Sequence, residues 1–188
     1  MNKSIEHILV DIIKTCLNLP DNYGTTEDGD VIPSVVIYGQ NVKLFNTDKL
    51  QITVKAGFFK TYSNRNEVQE INNKFCEVQN LNQSCMVQID CYSRNNEARE
   101  RHHEVIMAMN STYAQQQMDL YNFKLGLIGN EINTSGLDGG SDINRFTITY
   151  SAIIHHQKIT EIDYYDKFRV TAQNEQEKFL DIKNYNEE

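Results

Sequence analysis

Two histidine pairs are the side chains in this sequence most able to bind a metal ion or move a proton: His102 with His103, and His155 with His156. The first pair lies in a helical pattern, where neighbouring side chains point about 100° apart, so both rings cannot readily bind one ion. The second pair ends a strand pattern, where neighbouring side chains point to opposite faces. We therefore expect solvated or hydrogen-bonded histidines and no metal site.

The segment Asp138-Gly139-Gly140-Ser141-Asp142 has the composition of a calcium loop but not its spacing. It lacks the D-x-[DN]-x-[DN]-G order and the closing glutamate, so a flexible loop tip is expected. The sequence also contains no G-x-S-x-G, P-loop or G-x-G-x-x-G motif. These observations predict a protein that is not an enzyme and has no catalytic, cofactor-binding or metal-binding residues.

The four cysteines, Cys16, Cys76, Cys85 and Cys91, form no C-x-x-C pair. Cys85 and Cys91 share one strand face at a separation of roughly 20 Å, which is too far for a disulfide. Reduced and mostly buried thiols are expected. A catalytic cysteine–histidine pair would have to be assembled by the tertiary fold, and three of the cysteines occupy strand positions typical of a core.

Composition and charge restrict the class of protein. The chain has 188 residues, 39% of them hydrophobic and 23% charged, as in a globular domain. No apolar run is long enough to cross a membrane, and Glu6, Asp11 and Lys14 interrupt the apolar N-terminal stretch, so we expect synthesis and folding in a cytoplasm. A net charge of -8 opposes tight nonspecific binding to a phosphate backbone, although it does not exclude a protein that lets DNA pass.

Hydrophobic periodicity predicts two main helices and several strands. The first helix is expected at about 4–19, with Ser4 as its cap and Pro20 as its end. Strands are expected at 35–38, 50–59 and 75–78, with polar loops at 21–30 and 60–73 and a turn at 80–83. In the second of these strands one face is apolar, formed by Leu50, Ile52, Val54, Ala56 and Phe58.

The clearest unit is an alternating strand followed by an amphipathic helix. Residues 85–91 alternate between the two faces, and a helix is expected at about 95–114, capped by Ser93 or Asn95. A glycine-punctuated loop at 126–142 precedes a strand at 146–154 and a returning strand at 159–165. This order predicts an α+β fold: one antiparallel or mixed sheet with helices on one face, a single domain over 1–170, and an acidic, polar C-terminal tail over 171–188.

The long loops and the C-terminal tail are the expected interaction surfaces. Loops of this length are usually functional or disordered, and a subunit that binds its neighbours through such arms orders them on assembly. The candidate interface residues lie in the 126–142 loop and in the tail: Asp138, Gly139, Gly140, Asp142, Phe179, Leu180 and Ile182.

One part of the chain resembles a phage protein family. The strand Val87-Gln88-Ile89-Asp90-Cys91-Tyr92 leads into the helix at 96–113, then the glycine-interrupted loop, then the strand Asn144-Arg145-Phe146-Thr147-Ile148-Thr149-Tyr150. This order, over about 85–165, resembles the neck terminator, or tail-terminator (tail completion), proteins of tailed bacteriophages. The sequence departs from that pattern at His155-His156-Gln157, where an aliphatic or aromatic residue and Asn-Pro are expected, and in its acidic tail.

The resemblance implies a structural virion protein with no catalytic residues. Such proteins form a ring, usually a hexamer, which stops growth of the tail tube and joins the tail to the head connector. The implied partners are other copies of the chain, the tail-tube protein and the head–tail connector proteins. Double-stranded DNA would pass through the channel without specific binding, and no cofactor or membrane is implied. The implied location is the neck or tail of the virion, after synthesis in the host cytoplasm.

Two alternatives stay open. The first is another virion ring or tube component, such as a connector, a stopper or a tail-tube subunit. The second is a cellular enzyme or ligand-binding domain whose site is assembled only in three dimensions. A closed ring with a central channel would separate the virion proteins from the cellular domain.

Overall fold

A computed structural model describes residues 3–39, 48–138, 141–162, 171–173 and 179–181, and for 136–138, 141–142, 171–173 and 179–181 it describes the backbone only. The helices in these residues are α1 (Ile5–Leu17), α2 (Glu97–Met109) and α3 (Thr112–Leu120). The strands are β1 (Asn22–Thr25), β2 (Val31–Pro33), β3 (Val35–Ile37), β4 (Gln51–Ile71), β5 (Lys74–Ser93), β6 (Phe123–Asn133), β7 (Gly136–Asp138), β8 (Ser141–Glu161), β9 (Thr171–Gln173) and β10 (Phe179–Asp181).

The main sheet is mixed and has the strand order β3-β4-β5-β8-β6. β3 runs parallel to β4, with Val36 opposite Thr53, and β6 runs antiparallel to β8, with Phe123 opposite Ile154. β7 also pairs with β8, while β1 with β2 and β9 with β10 form two small antiparallel sheets. This mixed sheet, together with the three helices of the described residues, confirms the predicted α+β fold.

The chain divides into two compact units. The first comprises Met1–Arg65 and Asn80–Gln157 and includes the three described helices. The second comprises Asn66–Gln79 and Lys158–Glu188. β4, β5 and β8 supply residues to both units, because each of these strands is 20 or 21 residues long.

The core of the first unit lies between the helices and one face of the sheet. Alternate residues of three strands are buried on that face: Ile52, Val54, Val87, Ile89, Cys91, Ile148 and Ala152. α1 contributes a stripe at helical spacing: Ile5, Ile8, Leu9, Ile12 and Ile13. Each fully buried leucine or isoleucine is worth about 1.5–3 kcal/mol relative to exposure. The periods of two and 3.6 residues therefore identified these buried faces correctly.

α1 begins and ends close to its predicted limits. Ser4 occupies the N-cap position, although its hydroxyl lies 2.8 Å from His7 Nδ1 and makes no capping hydrogen bond to the backbone. At the other end Asn18 adopts a left-handed conformation, and the Leu19 N–H donates to the Lys14 carbonyl. This closure satisfies one of the last carbonyls of the helix and stops it slightly before the predicted limit.

Two helices, rather than one, occupy the region predicted as a helix at about 95–114. α2 begins after Ser93 and Asn95, whose side chains accept hydrogen bonds from first-turn N–H groups at 2.8 and 2.9 Å. The N-cap position itself is Asn96, whose side chain makes no capping hydrogen bond, so Ser93 and Asn95 accept these bonds from before the N-cap and neither is the predicted N-cap residue. The chain leaves the helical path at Asn110, and the Ser111 hydroxyl then accepts from Ala114 N at 3.1 Å to start α3.

Strands replace most of the predicted loops. β4 continues to Ile71 and β5 starts at Lys74, so residues 60–73 form two strands joined by a two-residue turn. Asn72 and Asn73 of this turn have φ values of 53° and 61°, the left-handed pair that a tight hairpin needs. The loop predicted at 126–142 includes most of β6 and all of β7, the loop at 21–30 includes β1, and the turn at 80–83 lies within β5.

The C-terminal part of the chain also contains more strand than predicted. β8 continues to Glu161, so residues 159–161 of the returning strand predicted at 159–165 extend β8 instead, and 163–165 lie outside the described residues. Within the predicted tail, β9 and β10 pair antiparallel, with Leu180 opposite Ala172. Ile182, Gly139 and Gly140 lie outside the described residues. None of the described helices is long and apolar enough to cross a membrane.

Candidate functional site: the Asp90 network and the sheet edges

The face of the main sheet opposite the helices, which we call the open face, is polar but partly buried. Gln51 and Thr53 lie on the predicted polar side of β4, yet Gln51 is only 1% exposed. Asp90 of β5 is 3% exposed on the same face. Burying a carboxylate costs free energy unless the group is hydrogen-bonded and paired with a cation. The neighbours of Asp90 therefore determine whether its burial is stable.

Asp90 accepts hydrogen bonds from four side chains on two strands. Its Oδ1 accepts from Thr147 Oγ1 at 2.5 Å. Its Oδ2 accepts from Gln88 Nε2 at 2.9 Å, Arg145 Nη2 at 3.1 Å and Tyr92 Oη at 3.4 Å. Gln88 and Tyr92 flank Asp90 on β5, whereas Arg145 and Thr147 come from β8. We call these five residues the Asp90 network.

Arg145 balances the charge of Asp90. Its guanidinium carbon lies 5.1 Å from the centre of the Tyr92 ring, so the cation also contacts an aromatic face. Burial alone would lower the pKa of Arg145, but the hydrogen bond and the charge of Asp90 raise it above its ordinary value. Burial raises the pKa of Tyr92, which keeps its phenol protonated as a donor. The Asp90 carboxylate is thus paired with a cation and hydrogen-bonded, and the network links β5 to β8.

The Asp90 network joins the two segments that carry the family resemblance. Gln88, Asp90 and Tyr92 belong to the V-Q-I-D-C-Y strand, and Arg145 and Thr147 belong to the strand at 144–150. The spacing of two places the first three on one strand face, a signal present in the sequence. The sequence alone does not show that Arg145 and Thr147, which follow Asp90 by 55 and 57 positions, complete the Asp90 network. The two segments therefore form one cluster in three dimensions.

Two of the histidines contact specific side chains, His102 in a partly buried position and His155 at the surface. The His102 ring stacks on Phe146 with centroids 4.3 Å apart, and its Nε2 lies 2.5 Å from Glu131 Oε1. His155 Nδ1 lies 2.7 Å from Asn82 Oδ1. No group of three or more histidine, cysteine or carboxylate side chains able to hold a metal ion occurs in the described part of the chain.

The four cysteines are free. Cys76, Cys85 and Cys91 are buried, as their strand positions predicted, and Cys16 is exposed. Burial raises the pKa of the Cys85 thiol to about 11 and also raises that of Cys91. Because the thiolate is the reactive form, both thiols are poor nucleophiles near neutral pH and serve as packing groups.

A cleft of about 410 Å³ opens beside the start of α1, the end of α3 and β8. Phe59, Leu120 and Ile154 supply apolar surface, and Lys3 and His155 are among the polar lining residues. Its volume falls within the range of about 300–1,000 Å³ that small-molecule sites occupy. The cleft is therefore the place where the ligand-binding alternative can be tested.

Large apolar side chains are exposed at both edges of the sheet. On β4, Phe58 is 82% exposed, and Phe59 and Tyr62 are exposed beside it. On β6, Leu127 is 92% exposed, with Ile132 also exposed. Single exposed apolar residues are normal, but clusters of them mark interaction surfaces.

Phe58 has the opposite orientation to the one predicted. The alternation from Leu50 to Ala56 predicts that Phe58 points toward the helices. Its backbone is instead left-handed, with φ of 55°, which is unusual for a large side chain and interrupts the alternation. Phe58 is therefore exposed, while Phe59 lines the cleft beside α1. No local pattern in the sequence predicts this interruption of the alternation at Phe58.

Four of the seven predicted interface residues lie in described strands. Asp138 and Asp142 belong to β7 and β8, which pair with Asp138 opposite Ser141. Phe179 and Leu180 belong to β10, which pairs with β9. Their role as an interface stays a prediction. The exposed side chains of β4 and β6 are additional candidates that sequence periodicity did not indicate.

No protein-family model matches this sequence, and no curated protein matches it significantly. The grounds for a functional proposal are therefore the residues, their contacts and the resemblance of their pattern.

Proposed function

We propose that this chain is a structural virion protein of a tailed bacteriophage, a neck or tail-terminator subunit. In this role it forms a ring that caps the tail tube and joins the tail to the head connector. The Asp90 network is the observation that supports the proposal most. Gln88, Asp90 and Tyr92 from one segment of the resemblance meet Arg145 and Thr147 from the other, so the two segments share a single cluster around one buried carboxylate.

The reactive side chains of the described residues suit a structural role. Asp90 is held by four donors, one of which is the Arg145 cation, and Cys91 is a fully buried thiol. His102 is stacked on Phe146 and paired with Glu131. Activated nucleophiles and bases are instead aimed at a space that a substrate can enter. These groups contribute to packing and to the positions of the strands.

Self-association into a ring, a hexamer in the resembled family, is the central part of the proposal. A closed ring requires two different surfaces on each subunit. The exposed apolar side chains of β4 and β6 supply two such surfaces. The tail-tube protein and the head–tail connector proteins are the proposed neighbours of the ring. The net charge of -8 favours passage of double-stranded DNA through the channel without retention.

The mass and shape of the purified chain test this proposal. Native mass spectrometry and negative-stain electron microscopy should find a closed ring with a central channel. A monomer at every concentration, particularly one that binds a small ligand in the cleft beside α1, would contradict it and favour the cellular alternative.

Deletion of the gene separates a terminator from the other virion components. Tails of uncontrolled length, or full heads lacking tails, are expected for a terminator. Complete absence of tail tubes would instead identify a tube subunit, and the terminator proposal would be wrong.

A further inference from the structure

His102 makes three contacts that join α2 to two strands of the main sheet. Its Nδ1 lies 3.2 Å from the Ala98 carbonyl oxygen, one turn earlier on α2. Its Nε2 lies 2.5 Å from Oε1 of Glu131 on β6, and its ring stacks on Phe146 of β8 with an angle of 11° between the ring planes. The His102 side chain is 16% exposed, so the protein supplies most of its polar neighbours.

The positions of these oxygen atoms fix the number of protons that the contacts need. A backbone carbonyl only accepts hydrogen bonds, so Nδ1 of His102 carries a proton and donates it to Ala98. At 2.5 Å, Nε2 and Oε1 of Glu131 also need a proton between them, whichever of the two groups carries it. A neutral imidazole beside an ionised carboxylate lacks that proton and would place two lone pairs against each other.

We propose that the His102–Glu131 contact is a proton-dependent link between α2 and β6, formed while the pair holds the additional proton and broken when that proton is lost. Histidine is the side chain that ordinarily changes its charge between pH 5 and 8. At the acidic end of this range the unfolded chain already carries the proton, whereas at the alkaline end folding has to take one up. The link therefore stabilises the fold at the acidic end and is lost as pH rises. It belongs to the single subunit, so it does not depend on ring formation.

The second half of β6 has few other attachments. Every residue from Gly126 to Asn133 is exposed, so no buried side chain fixes this stretch. Its pairing with β8 is interrupted by register shifts between Leu125 and Ile128 and between Ile128 and Asn130. β6 is the last strand in the sheet order, so β8 is its one neighbour among the described strands. Segments with few buried contacts open locally, and this stretch should respond when the link breaks.

α2 is held in place independently of the link. Its residues Ala98, Val105, Ala108 and Met109 are buried in the core. The stacking of the His102 ring does not require the additional proton. Loss of the proton should therefore release β6 and leave α2 where it is.

Few other groups that face this pair change their charge between pH 5 and 8. The Tyr150 phenol of β8 and the Cys91 thiol of β5 lie within electrostatic range of the glutamate, and burial raises the pKa of both, that of Tyr150 to about 12. Arg99 lies three residues earlier on α2, and arginine carries its charge throughout this range. The ring of His103, 5.8 Å away between centroids, is the other group able to titrate here and requires a control.

Hydrogen exchange in β6 at two pH values tests the link. Protection factors, with the intrinsic exchange rate at each pH divided out, are measured by NMR for residues 128–133 and for α1 as an internal reference. Between about pH 5.5 and pH 8, protection of the β6 segment should fall about fivefold, as expected for the loss of one net hydrogen bond. Protection of α1 should change less than about twofold. Both samples are kept in conditions where native mass spectrometry finds the same oligomer.

Glu131→Gln separates the link from other effects of pH. A glutamine amide can donate to Nε2 of a neutral ring, so this variant keeps the contact without the additional proton. Its β6 segment should stay protected at both pH values. His102→Phe keeps an aromatic ring beside Phe146 but removes both nitrogens, so protection should be low at both pH values. His103→Asn is the control and should retain the pH response of the unmodified chain.

Equal protection of the β6 segment at both pH values in the unmodified chain would overturn the inference. A full pH response in Glu131→Gln, or its loss in His103→Asn, would overturn it as well, provided that circular dichroism shows the variants to be folded. None of these outcomes decides the ring function, which is tested by the mass and shape of the assembly.

Discussion

Arg145 Nη2 lies 3.1 Å from Asp90 Oδ2, and this ion pair connects β8 to β5 across a sequence separation of 55 residues. The two members differ in environment, since Asp90 is buried and Arg145 is partly exposed. Solvent therefore screens the cation more than the carboxylate, and the carboxylate depends on its protein donors. The ion pair holds β8 against the part of β5 that carries the V-Q-I-D-C-Y motif.

Asp90→Ala should lower the free energy of unfolding by about 2–4 kcal/mol, because it leaves four donors without their acceptor. The partial exposure of Arg145 keeps the loss below that of a fully buried pair. Urea unfolding followed by circular dichroism measures the change. Lys74→Ala is the control, since it removes an ion pair with Glu161 that is exposed on both sides, and no measurable change is expected. A loss in Asp90→Ala no larger than in this control would show that the network is not structural.

Tyr150→Phe should stabilise the protein by up to about 1 kcal/mol at neutral pH, because Tyr150 Oη is buried without a hydrogen-bond partner in the described residues. Burial, with a contribution from Glu131, raises the pKa of Tyr150 from 10.0 to about 12. The unfolded tyrosine therefore ionises first, and stability is lost as pH rises from 10 toward 12. The advantage of the variant in urea unfolding should grow over this interval. An unchanged difference between pH 8 and pH 11 would contradict the raised pKa.

Thiol labelling should distinguish Cys16 from the three buried cysteines. At pH 8 one thiol should react with an aromatic disulfide reagent at the rate of an exposed cysteine, and the others should react only after unfolding. The raised pKa values of Cys85 and Cys91 slow their reaction further, since little thiolate forms. Cys16→Ser should abolish the fast phase. Persistence of that phase in the variant would place a second thiol at the surface.

Phe58→Asn should raise the stability of the isolated subunit by about 1 kcal/mol, because asparagine tolerates the left-handed backbone better than a large aromatic residue does. The same change should weaken self-association by removing the aromatic side chain. Tyr62→Asn, at a residue of β4 without a positive φ, is the control and should lower stability slightly. Thermal unfolding of dilute protein reports the first effect, and light scattering reports the second. A lower stability in Phe58→Asn would show that its backbone is not strained.

Periodicity predicted the parts of this fold that have one buried face. α1 and the strand at 85–91 follow this rule, because Ile8, Ile12, Val87 and Ile89 recur at spacings that fix their direction. Residues 60–73 do not follow it. Most of their side chains are exposed, so the strands there carry no apolar alternation, and the polar composition resembles that of a loop.

The candidate site was predictable only in part, because its contacts are non-local. The spacing of Gln88, Asp90 and Tyr92 places them together on one face of β5. Their partners Arg145 and Thr147 come from a strand that becomes a neighbour only through the sheet order. The burial of Gln51 also depends on a non-local contact, since its amide donates to the Pro33 carbonyl at 3.1 Å. Strand order is a tertiary property, and local patterns do not encode it.

The separation between β5 and β8 also has a kinetic consequence. The Asp90–Thr147 hydrogen bond closes a loop of 57 residues, and long loops are entropically expensive to close before other contacts form. We therefore expect the network to be incomplete in the transition state for folding. Substitutions in it should leave the refolding rate nearly unchanged and accelerate unfolding. The Asp90 carboxylate would then determine how long the subunit stays folded more than how fast it folds.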